Sequence, residues 1–169
     1  MLKKISKKII TFIFIVFVYC ACEKNEGITT DALSVQTGLF NSVVSHDGLS
    51  RQFIMYVPTN YNSDIEYPLM INFHGFGGTA SDFVETADMR SLAENENFII
   101  VYPQGTLLGG FPHWNSSAPS SDNKSSVDDL GFVEKMIENI SSTYSINEKR
   151  VYAAGYSNGG FLSYYLACN

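Results

Sequence analysis

The sequence predicts a single α/β domain built on a largely parallel sheet, and three observations carry this prediction. Two near-continuous apolar runs, Tyr67–Phe73 and Phe98–Tyr102, are separated by a stretch with helical spacing, which is typical of strands buried in a parallel sheet. A third run, Val151–Ala154, leads through glycines into an apolar helical pattern. The 169 residues are 45% hydrophobic, which is enough for one packed core.

The N-terminus carries an export signal. Four lysines precede an apolar run, Ile9–Tyr19, which is too short to span a bilayer. Residues 1–22 are therefore predicted to be a signal peptide, and Cys22 after Ala21 resembles the lipidated cysteine of a bacterial lipoprotein. Ordinary secretion with cleavage nearby is the alternative. In both cases we expect the mature protein outside the cytoplasm, secreted or held at the membrane by a lipid anchor.

Residues 23–34 are polar and predict a tether, followed by a catalytic domain over residues 35–169. From residue 23 onward the chain has 7 basic and 17 acidic residues, a net charge of −10. Such a surface repels nucleic acid and anionic lipid, which argues against both as partners. Cys168 is expected to be either free and buried or paired with a cysteine outside this sequence.

The domain begins with a predicted hairpin. Its strands are the β-branched runs 35–44 and 51–57, and Asp47-Gly48 supplies the turn between them. His46 is interpreted as a solvated turn residue rather than a catalytic base. A polar loop at 58–66 leads to the first buried strand.

Two further helices and the loop between them complete the pattern. After the first buried strand, a capping box at Thr79–Asp82 opens a helix that precedes Phe98–Tyr102, so these elements form a βαβ unit. Residues 106–126 are predicted to be a loop. A second capping box at Ser126–Asp129 opens a helix that ends near Tyr144, and Asp128 and Asp129 are interpreted as helix-start residues rather than a catalytic pair.

The third strand ends in Gly155-Tyr156-Ser157-Asn158-Gly159, a G-x-S-x-G sequence between a strand and a helix. A serine on so sharp a turn is strained, and a side chain two residues before or after it would crowd the turn. The turn exposes the Ser157 hydroxyl near the N-terminus of the following helix. We therefore predict that Ser157 is a nucleophile; the alternative is a glycine- and serine-rich turn without chemistry.

The glycine-rich stretch His74–Gly78 follows a buried strand and precedes this motif. Attack on an ester places negative charge on the carbonyl oxygen, and backbone N–H groups stabilise that charge. The N–H groups of Phe76 and Asn158 are predicted to form this oxyanion hole. His74 is expected to brace the loop through hydrogen bonds rather than to act as the general base.

Five motifs in this order resemble those of the secreted polyhydroxybutyrate depolymerase and feruloyl esterase family of α/β hydrolases, related to carbohydrate esterase family 1. The motifs are HGFGG at 74–78, VYPQG at 101–105, Trp114-Asn115, DDLGF at 128–132 and RVYAAGYSNGG at 150–160.

The resemblance extends from residue 38 to residue 169 and implies a three-layer α/β-hydrolase fold that stops after the nucleophile elbow and its helix. It implies a serine carboxylic ester hydrolase, acting on feruloyl-polysaccharide or polyhydroxyalkanoate-type esters, that uses neither a cofactor nor a metal. Ser157 would be the nucleophile, and Trp114 would lie near the acyl pocket. His74, Gly75 and Tyr156 are expected to contact the substrate as well.

The base and the acid of a catalytic triad are missing from the expected place. In α/β hydrolases they follow the serine, but the twelve residues after Ser157 contain no His, Asp or Glu. We therefore expect this chain to be the N-terminal portion of a longer hydrolase and to be inactive alone. The alternatives are a secreted serine peptidase of the same fold and a non-catalytic, carbohydrate-binding surface lipoprotein.

Overall fold

A five-stranded mixed sheet organises the domain. The computed structural model describes residues 35–118 and 125–169. The predicted signal peptide, the lipidation site Cys22 and the tether therefore lie outside the described residues. The elements are β1 Gly38–His46, β2 Leu49–Val57, β3 Tyr67–Phe73, α1 Ala80–Thr86, α2 Arg90–Glu96, β4 Ile99–Pro103, β5 Thr106–Leu108, β6 Phe111–His113, α3 Asp129–Ser141, β7 Ile146–Gly155 and α4 Asn158–Ala167.

The large sheet has the strand order β1-β2-β4-β3-β7. β3 is parallel to both β4 and β7, whereas the β1–β2 and β2–β4 pairs are antiparallel. Because β3 and β7 run side by side, their carboxyl ends meet at one edge of the sheet, where His74 follows β3 and Tyr156 follows β7. This is the edge at which open α/β sheets place their ligand sites.

Helices cover both faces of the sheet. Ala80 and Val84 of α1 and Ala93 of α2 pack with Ile100 and Tyr102 on one face. Residues of α3 and α4 pack on the other face within the larger core, whose buried members include Phe53, Leu69, Phe73, Phe132, Met136 and Leu162. The predicted three-layer α/β architecture is thus confirmed for the described residues.

The β1–β2 hairpin is confirmed, with Asp47 (φ 49°) and Gly48 (φ 75°) in the positive-φ conformations of a tight two-residue turn. The position of His46 was predicted wrongly. It is the last residue of β1, not a solvated turn residue, and its Nε2 lies 3.0 Å from Oδ2 of Asp128. This pairing joins residues 82 positions apart in sequence, so no local pattern reveals it.

The βαβ unit is confirmed, but its connection contains two short helices instead of one. The Tyr102 hydroxyl donates a hydrogen bond to the Ala87 carbonyl at 2.9 Å and accepts one from the Met89 N–H at 3.2 Å. These bonds replace the helical bonds that the two backbone groups would otherwise make. The buried tyrosine on β4 therefore stabilises the break between α1 and α2.

The predicted loop at 106–126 is partly wrong, because residues 106–113 form the antiparallel hairpin β5–β6. Gly109 (φ 58°) and Gly110 (φ 90°) supply the two positive φ angles that such a turn requires. The second capping box was also predicted at the wrong residues. Asp128, rather than Ser126, caps α3 and accepts the Gly131 N–H.

Asp128 and Asp129 lie at the start of α3, as predicted, but Asp129 does more than favour the helix terminus. Its buried carboxylate pairs with Arg51 at 2.6 Å and accepts the Asn115 N–H at 2.7 Å. Cys168 is exposed and forms no disulfide with another described residue, which contradicts the expectation of a buried thiol. Across the two described ranges, we find no helix with the length and apolar character needed to cross a bilayer.

Candidate active site

Ser157 occupies the sharp turn between β7 and α4. Its backbone has φ 49° and ψ −115°, a sparsely populated conformation for a residue with a side chain. The residue is exposed, and its hydroxyl neither caps α4 nor hydrogen-bonds to another described residue. The strained turn therefore presents an unoccupied hydroxyl at the carboxyl edge of the sheet.

The two glycines of the motif are required by packing. A Cβ atom added to Gly155 would lie 2.5 Å from the carbonyl carbon of Gly159. One added to Gly159 would lie 2.3 Å from the carbonyl oxygen of Phe73 and 2.6 Å from that of His74. The predicted crowding is confirmed, and α4 begins in direct contact with the end of β3.

The glycine-rich loop at 74–78 packs against the elbow. A Cβ added to Gly75 would lie 2.9 Å from Cδ1 of Tyr156 and 3.5 Å from Cβ of Ser157. Gly77 has φ 77° and donates its N–H to the Pro112 carbonyl at 2.8 Å, so β6 supports the loop from the other side. The structure thus brings the two predicted halves of the site together.

The N–H groups of Phe76 and Asn158 have no hydrogen-bond acceptor among the described residues. Asn158 is the first residue of α4, where backbone N–H groups and the helix dipole favour negative charge. Phe76 directly follows Gly75, which contacts the elbow. The role of these two N–H groups as an oxyanion hole stays a prediction.

His74 is buried and braces the loop. Its Nδ1 donates to the Gly75 carbonyl at 2.7 Å, and its Nε2 accepts the Gly105 N–H at 3.0 Å. Burial lowers the pKa of His74 below its usual 6.5, and a proton on Nε2 would break the bond from Gly105. The neutral imidazole is therefore held in one tautomer with both nitrogens engaged.

The other two histidines are also engaged. His113 is buried, with Nδ1 3.0 Å from the Thr106 carbonyl oxygen and Nε2 3.1 Å from Oγ of Ser125. His46 pairs with Asp128. Among the described residues, no histidine hydrogen-bonds to Ser157, and no group of three His, Cys, Asp or Glu side chains could hold a metal ion.

Trp114 and Asn158 form a clamp beneath the site. The Asn158 side-chain amide accepts the Trp114 N–H at 2.8 Å and donates to the Trp114 carbonyl at 2.9 Å. The indole N–H of Trp114 then donates to the His74 carbonyl at 2.9 Å. This network joins the elbow to the glycine loop, and sequence reasoning missed it because the bonded residues lie 40 and 44 positions apart.

A cleft of about 640 Å³ opens beside the elbow, and His74, Gly75, Phe76 and Tyr156 are among the residues that line it. Trp114 is not part of this wall, because it is only 2% exposed and packs edge-on against Phe73. The structure therefore places Trp114 under the site rather than in the cleft.

At the rim of the cleft, the rings of Phe76 and Phe111 lie 5.8 Å apart. They are 56% and 57% exposed, respectively. An apolar ring pair is thus available to a ligand beside the Phe76 N–H.

Relatives among characterised proteins have esterase names. The chain is 31% identical over 118 residues to feruloyl esterase B of Piromyces equi, a match that covers 70% of this chain and 21% of that protein. It is 29% identical over 139 residues to a probable feruloyl esterase C of Aspergillus terreus, covering 79% of this chain and 46% of the relative. In sequence, the chain is similar to the feruloyl esterases. The resemblance found in the five sequence motifs is thereby confirmed.

Solved structures show that the chain has the α/β-hydrolase fold. An acetyl xylan esterase from Aspergillus awamori matches with a TM-score of 0.61 at 20% identity, over 76% of this chain and 46% of that one. An S-formylglutathione hydrolase from Agrobacterium tumefaciens matches with a TM-score of 0.54 at 18% identity, over 78% of this chain and 54% of that one. The chain thus spans about half or less of the length of these relatives. No family model matches it.

Proposed function

We propose that the protein is a serine carboxylic ester hydrolase and that Ser157 forms its acyl-enzyme. The single observation that carries this proposal is the strained, exposed Ser157, which lies on a turn packed against the glycine loop. The N–H groups of Asn158, the next residue, and of Phe76 in that loop have no acceptor among the described residues. Hydrolase relatives and esterase neighbours with the same fold support it.

In this proposal the Ser157 oxygen attacks the carbonyl carbon of the ester and transfers its proton to a histidine. Negative charge then develops on the former carbonyl oxygen, to which the two N–H groups donate hydrogen bonds. Loss of one such donor typically costs about 3 to 4 kcal/mol of transition-state stabilisation. Collapse of this intermediate breaks the ester C–O bond, and the histidine returns the proton to the leaving oxygen, which departs as the alcohol. Water then hydrolyses the acyl-enzyme to the free acid and regenerates the Ser157 hydroxyl.

The three described histidines are engaged elsewhere, so we propose that the base and its orienting acid come from residues outside the described ranges. Without them a serine hydroxyl is a weak nucleophile at neutral pH. This chain by itself is therefore expected to hydrolyse esters no faster than the buffer does. The mechanism needs no metal and no cofactor.

For the substrate we propose esters of aromatic acids with plant polysaccharides, or polyester oligomers. The exposed Phe76–Phe111 pair at the rim of the cleft favours an apolar acyl group, since covering both rings removes apolar surface from water. The relatives are named feruloyl esterases and an acetylxylan esterase with a xylanase. We further propose export and lipid anchoring at Cys22, because the N-terminal sequence fits both.

The test is ester hydrolysis by the intact protein, with p-nitrophenyl acetate and methyl ferulate as substrates and fluorophosphonate labelling of the nucleophile. Ser157→Ala should abolish both labelling and hydrolysis, whereas Ser163→Ala, six residues along α4, should retain them. Equal activity of the Ser157→Ala variant would refute the proposal. Faster turnover of peptide amides than of esters would favour a peptidase instead.

A further inference from the structure

A row of cavities leads away from the active-site cleft. The cleft shares Thr79 with a second cavity of about 460 Å³, which also contacts Gln52 and Gln104. Gln52 and Gln104 in turn line a third cavity of about 490 Å³, bounded by β1, β2 and the start of α1. Neighbouring cavities thus share wall residues, and we name the second and third cavities together the amide groove.

The far end of the amide groove has free polar groups. Asn41 and Gln52 are both exposed, and neither side-chain amide hydrogen-bonds to another described residue. In the β1–β2 ladder, Val43 pairs with Gln52 and Asn41 pairs with Ile54. Residues directly opposite each other share a face of the sheet, so the two amides flank Val43, which is 54% exposed.

The second and third cavities are nearly neutral. Among the described residues, no charged side chain lines the third cavity, and Arg51, which is buried and paired with Asp129, is the only one that lines the second. Asp82 lines the active-site cleft. Each free amide can donate and accept hydrogen bonds, and Ser81 of α1 also lines the third cavity. Such a surface matches a neutral, hydroxyl-rich polymer, whereas a polyester offers acceptors but no donors along its chain.

Gln104 connects the groove to the active site without being free itself. Its Oε1 accepts the Ala80 N–H at 2.9 Å, and its Nε2 donates to the Gly105 carbonyl at 3.2 Å. Gly105 in turn donates to His74. Hydrogen bonds through Gln104 and Gly105 therefore link the wall of the groove to the His74 brace of the glycine loop.

We propose that the amide groove binds a neutral polysaccharide chain, with Asn41 and Gln52 as its specificity-determining residues and Val43 packing against a sugar ring. The inference rests on the proposed function, since it assigns to the ester cut at Ser157 a polysaccharide as the alcohol portion. The groove would hold the polymer while the acyl group enters the cleft.

The first test is binding of xylohexaose to the chain, measured by isothermal titration calorimetry. Asn41→Ala and Gln52→Ala should each weaken binding about fivefold, the effect of one lost hydrogen bond. Asn139→Ala removes an exposed amide from α3 on the opposite face of the sheet and should leave binding unchanged. The proposal would be overturned by any of three results. These are an unchanged affinity in both groove variants, no saturable binding of xylohexaose, or tighter binding of a 3-hydroxybutyrate trimer than of xylohexaose.

The second test uses the intact protein. The Asn41→Ala/Gln52→Ala variant should raise KM for feruloylated arabinoxylan about tenfold or more with little change in kcat, and should leave both parameters for methyl ferulate unchanged. An equal rise in KM for both substrates would contradict a polymer groove. If the intact protein cleaves no ester, the proposed function is refuted. The binding of xylohexaose to the groove is then still tested independently by calorimetry.

Discussion

Replacing Asn158 by alanine removes the side-chain amide of the clamp beneath the site but keeps the backbone N–H of residue 158. The change therefore tests the structural role of the clamp without removing the proposed oxyanion-hole donor. The change removes two hydrogen bonds, at 2.8 and 2.9 Å, from the backbone of the buried Trp114. A buried group left without a partner costs about 1 to 3 kcal/mol, so two cost about 2 to 6 kcal/mol. Alanine recovers roughly 0.5 kcal/mol of helix propensity. We expect the free energy of unfolding to fall by about 2 to 4 kcal/mol once partial hydration is allowed for.

The assay is urea unfolding followed by far-UV circular dichroism, with Asn139→Ala as the matched control. Asn139 is also helical and exposed, and its side chain makes no hydrogen bond to another described residue. Both variants therefore change helix propensity alike, and their difference isolates the clamp. Unfolding free energies within about 0.5 kcal/mol of each other would refute the reasoning, since that is the scatter of ordinary surface substitutions.

Three further outcomes are expected. Because burial lowers the pKa of His74 below 6.5, its contribution to stability should be complete above that pH and decline as the pH falls below it. His74→Gln should therefore flatten the fall in Tm between pH 7 and 5. Curves of Tm against pH that run parallel for the variant and the unaltered protein would contradict this. Gly159→Ala should destabilise the fold more than Gly160→Ala in thermal unfolding, since the added Cβ atoms would meet backbone at 2.3 and 3.1 Å, respectively; an equal loss would be inconsistent. Arg51→Met should cost about 3 to 5 kcal/mol in urea by leaving the Asp129 carboxylate unpaired, and adding Asp129→Asn should recover much of that loss; no recovery would contradict the ion-pair explanation.

The elbow could be predicted from sequence because its determinants are local. Gly155 and Gly159 are needed within a five-residue turn, and the strand and helix on either side have distinct hydrophobic patterns. The buried strands β3 and β4 were predictable for a similar reason, since nearly all their residues are apolar. Local patterns therefore predict the turn that carries Ser157, the proposed nucleophile, and the sheet edge at which it lies.

Other features depend on contacts between distant residues. The break between α1 and α2 is stabilised by the hydroxyl of Tyr102, which lies on β4, so the helical spacing of 79–93 gave no sign of it. The roles of Trp114 and Asp129 likewise depend on partners tens of residues away. The β5–β6 hairpin is different, because the Gly109-Gly110 pair is a local turn signal that the loop interpretation overlooked.

Trp114 is the only tryptophan in the sequence, and its ring lies 5.0 Å from that of His74. With excitation that selects tryptophan over the tyrosines, the fluorescence of the chain therefore originates beneath the proposed nucleophile. A protonated imidazole quenches indole fluorescence. Protonation of His74 should therefore lower the fluorescence intensity of Trp114 at a pH at which the protein is still folded. The buried indole makes the proposed site optically visible without an added label.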